Sequence, residues 1–141
     1  MSEPYYLENP TSPAPVSRAV GIGSGSMFYQ LGGQFPEIVD PSAPPRSLEA
    51  FGDTYTQTKT TLHRLSTLLE DLGLAKRNLT HMRIYLVAEE PGGRMDVDGF
   101  NKAYTEYFQD QDRNFPSRTV MQVAAMVNPG WLIEIEATAA N

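Results

Sequence analysis

The sequence predicts an α+β fold, a mixed β-sheet with two helices packed on one face, and three stretches carry that prediction. Residues 79 to 87 alternate, with Met82, Ile84 and Leu86 on one side and His81, Arg83, Tyr85 and Val87 on the other, the period of a strand with one oily face. Leu48, Phe51, Tyr55, Thr58, Leu62, Leu65, Leu69 and Leu72 recur at spacings of three and four, the period of a helix lying on a core. Residues 115 to 136 read as two β-strands joined by an Asn-Pro-Gly turn, with Arg118 opening the first and Glu134 and Glu136 in the second.

In chain order, residues 1 to 18 carry Pro4, Pro10, Pro13 and Pro15 and form an extended arm, with an edge strand near Tyr5 to Leu7. Gly21, Gly23 and Gly25 lead into a strand at Met27-Phe28-Tyr29-Gln30-Leu31, which Gly32-Gly33 ends. These glycines precede a strand rather than a helix and no lysine follows, so they read as a hairpin rather than a phosphate-binding loop. Pro36, Pro41, Pro44 and Pro45 make the next segment a surface loop. Ser47 caps the long helix, Glu49 sits in its first turn, and Gly73 closes it. After the strand at 79 to 87 and a loop with Pro91, Gly92 and Gly93, residues 96 to 109 form a second helix. Its apolar side is Val97, Phe100, Tyr104, Tyr107 and Phe108, and Asp96 or Asp98 caps it. The order is β, α, β, α, β, β behind the arm.

A chain of 141 residues holds one domain. Its 40% hydrophobic and 20% charged residues suit a globular protein, and no apolar run is long enough for a membrane span. A net charge of −6 repels phosphate backbones, so no nucleic acid is expected as a partner. The absence of cysteine excludes disulfides, thiolate catalysis and a zinc-thiolate site. The first residues lack the pattern of a secretory signal, so the expected location is cytoplasmic. His63 and His81 are read as structural, and the single tryptophan and six methionines as core or interface filling.

An arginine at a strand mouth can hold a carboxylate in a two-pronged grip, and a glutamate on the paired strand can place or activate a water. In the last strand Trp131, Ile133, Ile135 and Ala137 share one face, and Leu132, Glu134, Glu136 and Thr138 the other. That second face also receives Arg83, Tyr85 and either Val120, Gln122 and Ala124 or their neighbours. The mixture is too apolar for plain solvated surface and too charged for a core, so another subunit is expected to cover it. Arg118 and Glu134 then lie at or near an intersubunit cleft. The same charges also fit an interface salt-bridge network.

Several segments together resemble the reactive-intermediate deaminases, the RidA or YjgF family. Ala14-Pro15-Val16-Ser17-Arg18-Ala19-Val20 is similar to that family's Gly-Pro-Tyr-Ser-Gln-Ala-Val opening, and Leu31-Gly32-Gly33-Gln34-Phe35-Pro36 to its Ser-Gly-Gln-Ile-Pro strand end. Gly99 to Phe108 resembles its Asn-x-x-Tyr-x-x-Phe helix. Phe115-Pro116-Ser117-Arg118 with Ile133-Glu134-Ile135-Glu136-Ala137 resembles its closing signature. The resemblance runs from about Pro15 to Ala139 and implies one RidA-like (chorismate-mutase-like) domain over residues 1–141, with 1–18 as its arm, assembled as a homotrimer with sites between subunits. It implies hydrolysis of an enamine or imine to the ketone and ammonia without cofactor or metal. Arg118 would bind the carboxylate of a small-molecule substrate and Glu134 would orient the attacking water. Gly33 would offer backbone polar groups to the substrate. Asn101 matches the family asparagine, and either a pocket hydrogen bond or a helix-terminus role fits it.

Three positions depart from the family pattern. Val16 stands where many members have tyrosine, Gly32 replaces the strand-end serine, and Val120 replaces a cysteine two residues after the arginine. With these three as substrate-side residues the pocket is roomier and more apolar, and Tyr5, Tyr6 and Tyr29 are candidates to replace the lost hydroxyl. The loop from Glu89 to Met95 is also long. A bulkier substrate and a reduced activity both fit, so a trimer that binds a metabolite without turnover stands as the alternative. An endoribonuclease activity, a label some members carry, is disfavoured by the acidic balance and the lack of a histidine pair.

Overall fold

The computed structural model describes residues 4–141; of the arm expected over residues 1–18, Met1 to Glu3 lie outside them. In chain order the elements are β1 (Tyr5–Glu8), β2 (Ser17–Gly21), β3 (Phe28–Gln34), α1 (Leu48–Phe51), α2 (Thr54–Asp71), a 3-10 turn (Lys76–Asn78), β4 (Leu79–Leu86), α3 (Val97–Tyr107), β5 (Ser117–Gln122) and β6 (Ile133–Ala140). Four strands form a mixed sheet in the order β3-β6-β4-β5, and β1 and β2 pair separately as an antiparallel ribbon. The α+β architecture is as expected, with α2 and α3 on one face of the sheet. Leu62, Leu65 and Leu69 of α2 and Phe100 and Tyr104 of α3 meet Met82, Ile84 and Leu86 of β4 and Ile133 and Ile135 of β6 in one buried cluster. Each such buried side chain contributes about 1.5–3 kcal/mol, so this seam fixes the helices to the sheet.

Three expectations are corrected. First, residues 115 to 136 are not a hairpin: β5 pairs parallel with β4, while β6 lies antiparallel between β3 and β4. The chain from β4 to β5 crosses over through α3, as a parallel pair requires, and that crossover delivers β5 to the sheet edge. Second, the long helix is broken. Gly52 adopts φ 89°, a left-handed value that favours glycine, and Asp53 then caps α2 by accepting the Thr56 N–H at 2.8 Å. Ser47 precedes only the four-residue α1 and makes no side-chain cap bond. The closing turn is as read: Gly73 N–H donates to Glu70 O and Leu74 N–H to Leu69 O, with Gly73 at φ 72°. Third, the segment before β3 holds a strand of its own, β2, so Gly21 to Gly25 join two different sheets.

The loop before α3 is docked at both ends. Glu89 Oε1 accepts from the Thr54 N–H at 3.0 Å and from its hydroxyl at 2.9 Å, and the Gln122 side chain bonds Met95 N and Gly93 O. Asp96, not Asp98, caps α3 by accepting from Gly99 N–H. No helix among the described residues is long and apolar enough to cross a membrane.

Candidate functional site

The parallel register sets Arg118 opposite Met82 and Val120 opposite Ile84, so both side chains lie on the helix-covered face. The sequence expectation had left the parity of β5 open; the open face takes Thr119 and Met121, which stand opposite Arg83 and Tyr85. Arg118 extends over the rings of Tyr104, 4.5 Å from its centroid, and Phe100, 5.4 Å away. One amino group donates to Asn101 Oδ1 at 2.8 Å; the other, Nη1, is buried and has no partner among the described residues. Burial pulls the Arg118 pKa down from its ordinary value, but an arginine starts so high that it keeps its charge. Burial likewise raises that of Tyr104, against the pull of the Arg118 charge. A desolvated guanidinium with one unused donor is a seat for an oxyanion.

The opening motif lies beside this arginine. Ser17 N–H donates to Pro116 O at 3.1 Å and Tyr104 OH to Pro15 O at 3.0 Å, while Val16 between them packs against the core. A recess of about 320 Å³ next to it is lined by Tyr6, Val16, Arg113 and Phe115 among others, and Arg118 is not in its wall. Of the tyrosines offered as replacements, Tyr6 donates to Arg77 O and Leu79 O, Tyr29 packs against the core and Tyr5 is exposed.

Glu134 stands on the opposite face. On β6 it pairs in register with Tyr85, and its half-buried carboxylate has no hydrogen-bond or ion-pair partner among the described residues. It lies against Gly33, at the break in register between Leu31↔Ala137 and Gln34↔Ile135. A side chain on Gly33 would land on the Glu134 carboxylate, whereas the space at Gly32 is open. Glu136, two residues along, is committed: it accepts from Tyr85 OH at 2.6 Å and pairs with Arg83 at 3.0 Å, and those two bonds hold its pKa below the ordinary value. On the same face His81 Nδ1 meets Ser117 Oγ at 2.8 Å, and burial, then the Arg83 charge, lower its pKa. His63 is exposed, 3.4 Å from Glu37.

Arg118 and Glu134 are therefore two strands and about three residues apart along the sheet, on opposite faces. With strands about 4.8 Å apart and a rise of about 3.3 Å per residue, their Cα atoms are roughly 14 Å apart. One chain does not bring them together, nor do they form an ion pair; the ion pair on the open face is Arg83–Glu136. What one chain assembles is two half-sites, an anion seat (Arg118, Asn101, Tyr104, Phe100) and an unpaired carboxylate on Gly33.

Two further residues escaped the sequence reading. Tyr104 forms the floor under Arg118, although it stood in the quoted helix motif. Gln57, fully buried in α2, bonds the backbone leading into β6. Its only signal was that Thr54, Gln57, Thr58 and Thr61 fall at helical spacing on the buried side, a polar continuation of the apolar stripe.

A family profile described as Endoribonuclease L-PSP matches residues 8–141. A RutC family protein of Pyrococcus horikoshii is 29% identical over 140 residues, covering 99% of this chain and 98% of that protein. Among solved structures, a protein of unknown function of the conserved Rid family from Yersinia pestis, YyfB, superposes with a TM-score of 0.75 at 22% identity, covering 99% of this chain and 100% of the other. Escherichia coli TdcF, crystallised with bound serine, superposes with a TM-score of 0.62 at 21% identity over 100% and 99% of the two chains.

Proposed function

The chain belongs to the Rid family, also called YjgF, and on that premise we propose that it is an enamine or imine deaminase acting on a small carboxylate-bearing substrate. The observation that carries this reading is the buried, unpartnered Nη1 of Arg118. With its neighbour held by Asn101, the guanidinium keeps one uncommitted donor of the kind that pairs with a carboxylate. The serine held by TdcF, a small amino acid with a carboxylate, is a ligand of the same class.

An enamino acid tautomerises to an imine whose carbon is electrophilic. Glu134 orients a water and takes its proton as oxygen bonds to that carbon. That proton passes to nitrogen, giving a carbinolamine; its hydroxyl proton then moves by way of Glu134 to the nitrogen as the C–N bond breaks and the C=O forms, and ketone and ammonia leave. The chemistry needs only placed protons, and a carboxylate with no competing partner suits that task. Because the half-sites lie on opposite faces, each site draws Arg118 from one copy and Glu134 from another in a homotrimer. The half-exposed Phe28, Met121 and Tyr85 on the open face supply apolar surface for that assembly. A net charge of −6 weighs against a polynucleotide substrate.

The second reading, a binding protein without turnover, is favoured by one observation: Val16, Gly32 and Val120 offer the cleft no polar side chain. Mixing decides between them. Arg118→Ala and Glu134→Gln are each expected to lose ammonia release from 2-imino acids, and co-refolded mixtures to recover about a quarter of the sites, the fraction in which an intact arginine meets an intact glutamate. No recovery would overturn the shared site. Wild-type protein that is stabilised by a 2-oxo acid yet releases no ammonia would establish the binding reading instead.

A further inference from the structure

We infer that Gln57 is a positioning residue for Glu134, acting through the backbone on either side of Trp131; the inference rests on the role given to Glu134 above. Gln57 lies in the first turn of α2 and is fully buried. Its Nε2 donates to Gly52 O at 2.8 Å and to Gly130 O at 3.0 Å, and its Oε1 accepts from Leu132 N–H at 2.7 Å. The Leu132 N–H fixes which end of the amide is oxygen, and with both hydrogens engaged the group has one orientation. Leu132 O in turn accepts from Val87 N–H at 2.9 Å, so the residue is tied to α2 on one side and to the end of β4 on the other.

Between the two tied residues Trp131 stacks on Phe35, with centroids 4.4 Å apart and planes at 14°, and meets Phe51 edge-on at 6.3 Å. Gly130 is pressed against Ser47 O so closely that no side chain fits there. Phe35 is two residues beyond Gly33, and Leu132 two residues before Glu134. One cluster thus fixes both members of the Gly33–Glu134 contact: Gln57 sets the strand that carries the carboxylate, and the Phe35–Trp131 stack ties it to the segment that carries the glycine. An apolar residue would fill the volume of Gln57 but leave the Gly130 carbonyl and the Leu132 N–H without that buried partner, and the strand entry would shift to reach water. A water-orienting carboxylate tolerates little displacement.

The test compares Gln57→Leu with Leu65→Ala, a core variant that destabilises α2 without touching the amide, and with Phe35→Leu, which loosens the cluster from its other side. Full-length proteins are assayed for ammonia release from a 2-imino acid, for amide exchange at residues 130–135 and for emission of the single tryptophan, Trp131. Gln57→Leu and Phe35→Leu are expected to lower kcat by about 10- to 100-fold. Their KM should stay within about twofold, because the carboxylate seat is untouched. Exchange at Leu132 and Glu134 accelerates and the Trp131 emission shifts to the red. Leu65→Ala keeps wild-type kcat per folded molecule. Wild-type kcat in Gln57→Leu, or an equal kcat loss in Leu65→Ala, overturns the inference. A wild-type protein that releases no ammonia overturns the deaminase reading instead, and exchange and emission then decide the positioning role: if Gln57→Leu leaves both unchanged, it is refuted.

Discussion

The guanidinium of Arg118 lies 4.5 Å from the ring centroid of Tyr104, whose own hydroxyl is anchored on Pro15 O at 3.0 Å. The cation is thus stacked on a ring whose hydroxyl is tied to the backbone, with one of its donors held by Asn101. Lysine carries the charge but neither the planar fork nor the reach to Asn101. Arg118→Lys should lose about 3 kcal/mol of charge-assisted bonding, about 100-fold in kcat/KM. Steady-state kinetics alongside a melting curve checks this, and an activity close to wild type would remove Arg118 from the carboxylate role.

Gly33→Ala separates stability from function. The added methyl meets the end of the flexible Glu134 side chain, not backbone, so the chain yields at little cost. The variant should melt within a few degrees of wild type, roughly 1 kcal/mol, yet lose about tenfold or more in kcat as the carboxylate swings away. Unimpaired turnover would show that Glu134 works from another position, or not at all.

The two glutamates of β6 give opposite expectations. Glu134→Gln should abolish turnover and leave stability unchanged, since its carboxylate has no partner to lose. Glu136→Gln breaks bonds to Tyr85 and Arg83 in a half-exposed network, at a cost of about 0.5–1 kcal/mol, and should retain turnover. Melting and kinetic data on the same two proteins test the assignment, and an inversion of the pattern would exchange their roles.

Acid should weaken the fold through the open face. His81 has a depressed pKa, so below about pH 6.5 the unfolded chain takes up a proton that the folded chain resists. Its contribution is complete above that pH and declines as pH falls toward the folded value. Glu136, also depressed, adds a decline at lower pH, as its carboxylate protonates. His81→Gln should flatten the melting-temperature profile between about pH 7 and about pH 5.5 and leave the lower decline in place. An unchanged slope in that variant would assign the upper decline elsewhere.

The sequence disclosed faces more readily than neighbours. Alternation in β4 put Met82, Ile84 and Leu86 on the core side, and they are fully buried there. Alternation cannot say which strand lies alongside: Asn128-Pro129-Gly130 has the chemistry of a tight turn, yet β4 separates the strands on either side of it. Nor does it fix parity where both sets are mixed, so the face of Arg118 stayed open until its register opposite Met82 set it across the sheet from Arg83 and Tyr85. The break at Gly52 was hidden because Phe51 and Tyr55 keep helical spacing across it. Gln57 was hidden for another reason: a polar side chain becomes a core residue only when the backbone groups that satisfy it arrive from elsewhere, here from Gly130 and Leu132.

The placement of β4 between β5 and β6 bears on how this protein can diversify. Arg118 and Asn101 are carried by β5 and α3, Glu134 and the Gly33 it lies against by β6 and β3, and no strand ladder joins β5 to β6. With the roles proposed for these residues, a substitution that reshapes the surroundings of Arg118 does not pass through the strand that carries Glu134. On those roles recognition and chemistry can drift separately, so that altered positions on the Arg118 side such as Val16 and Val120 change what is admitted without resetting what is done to it.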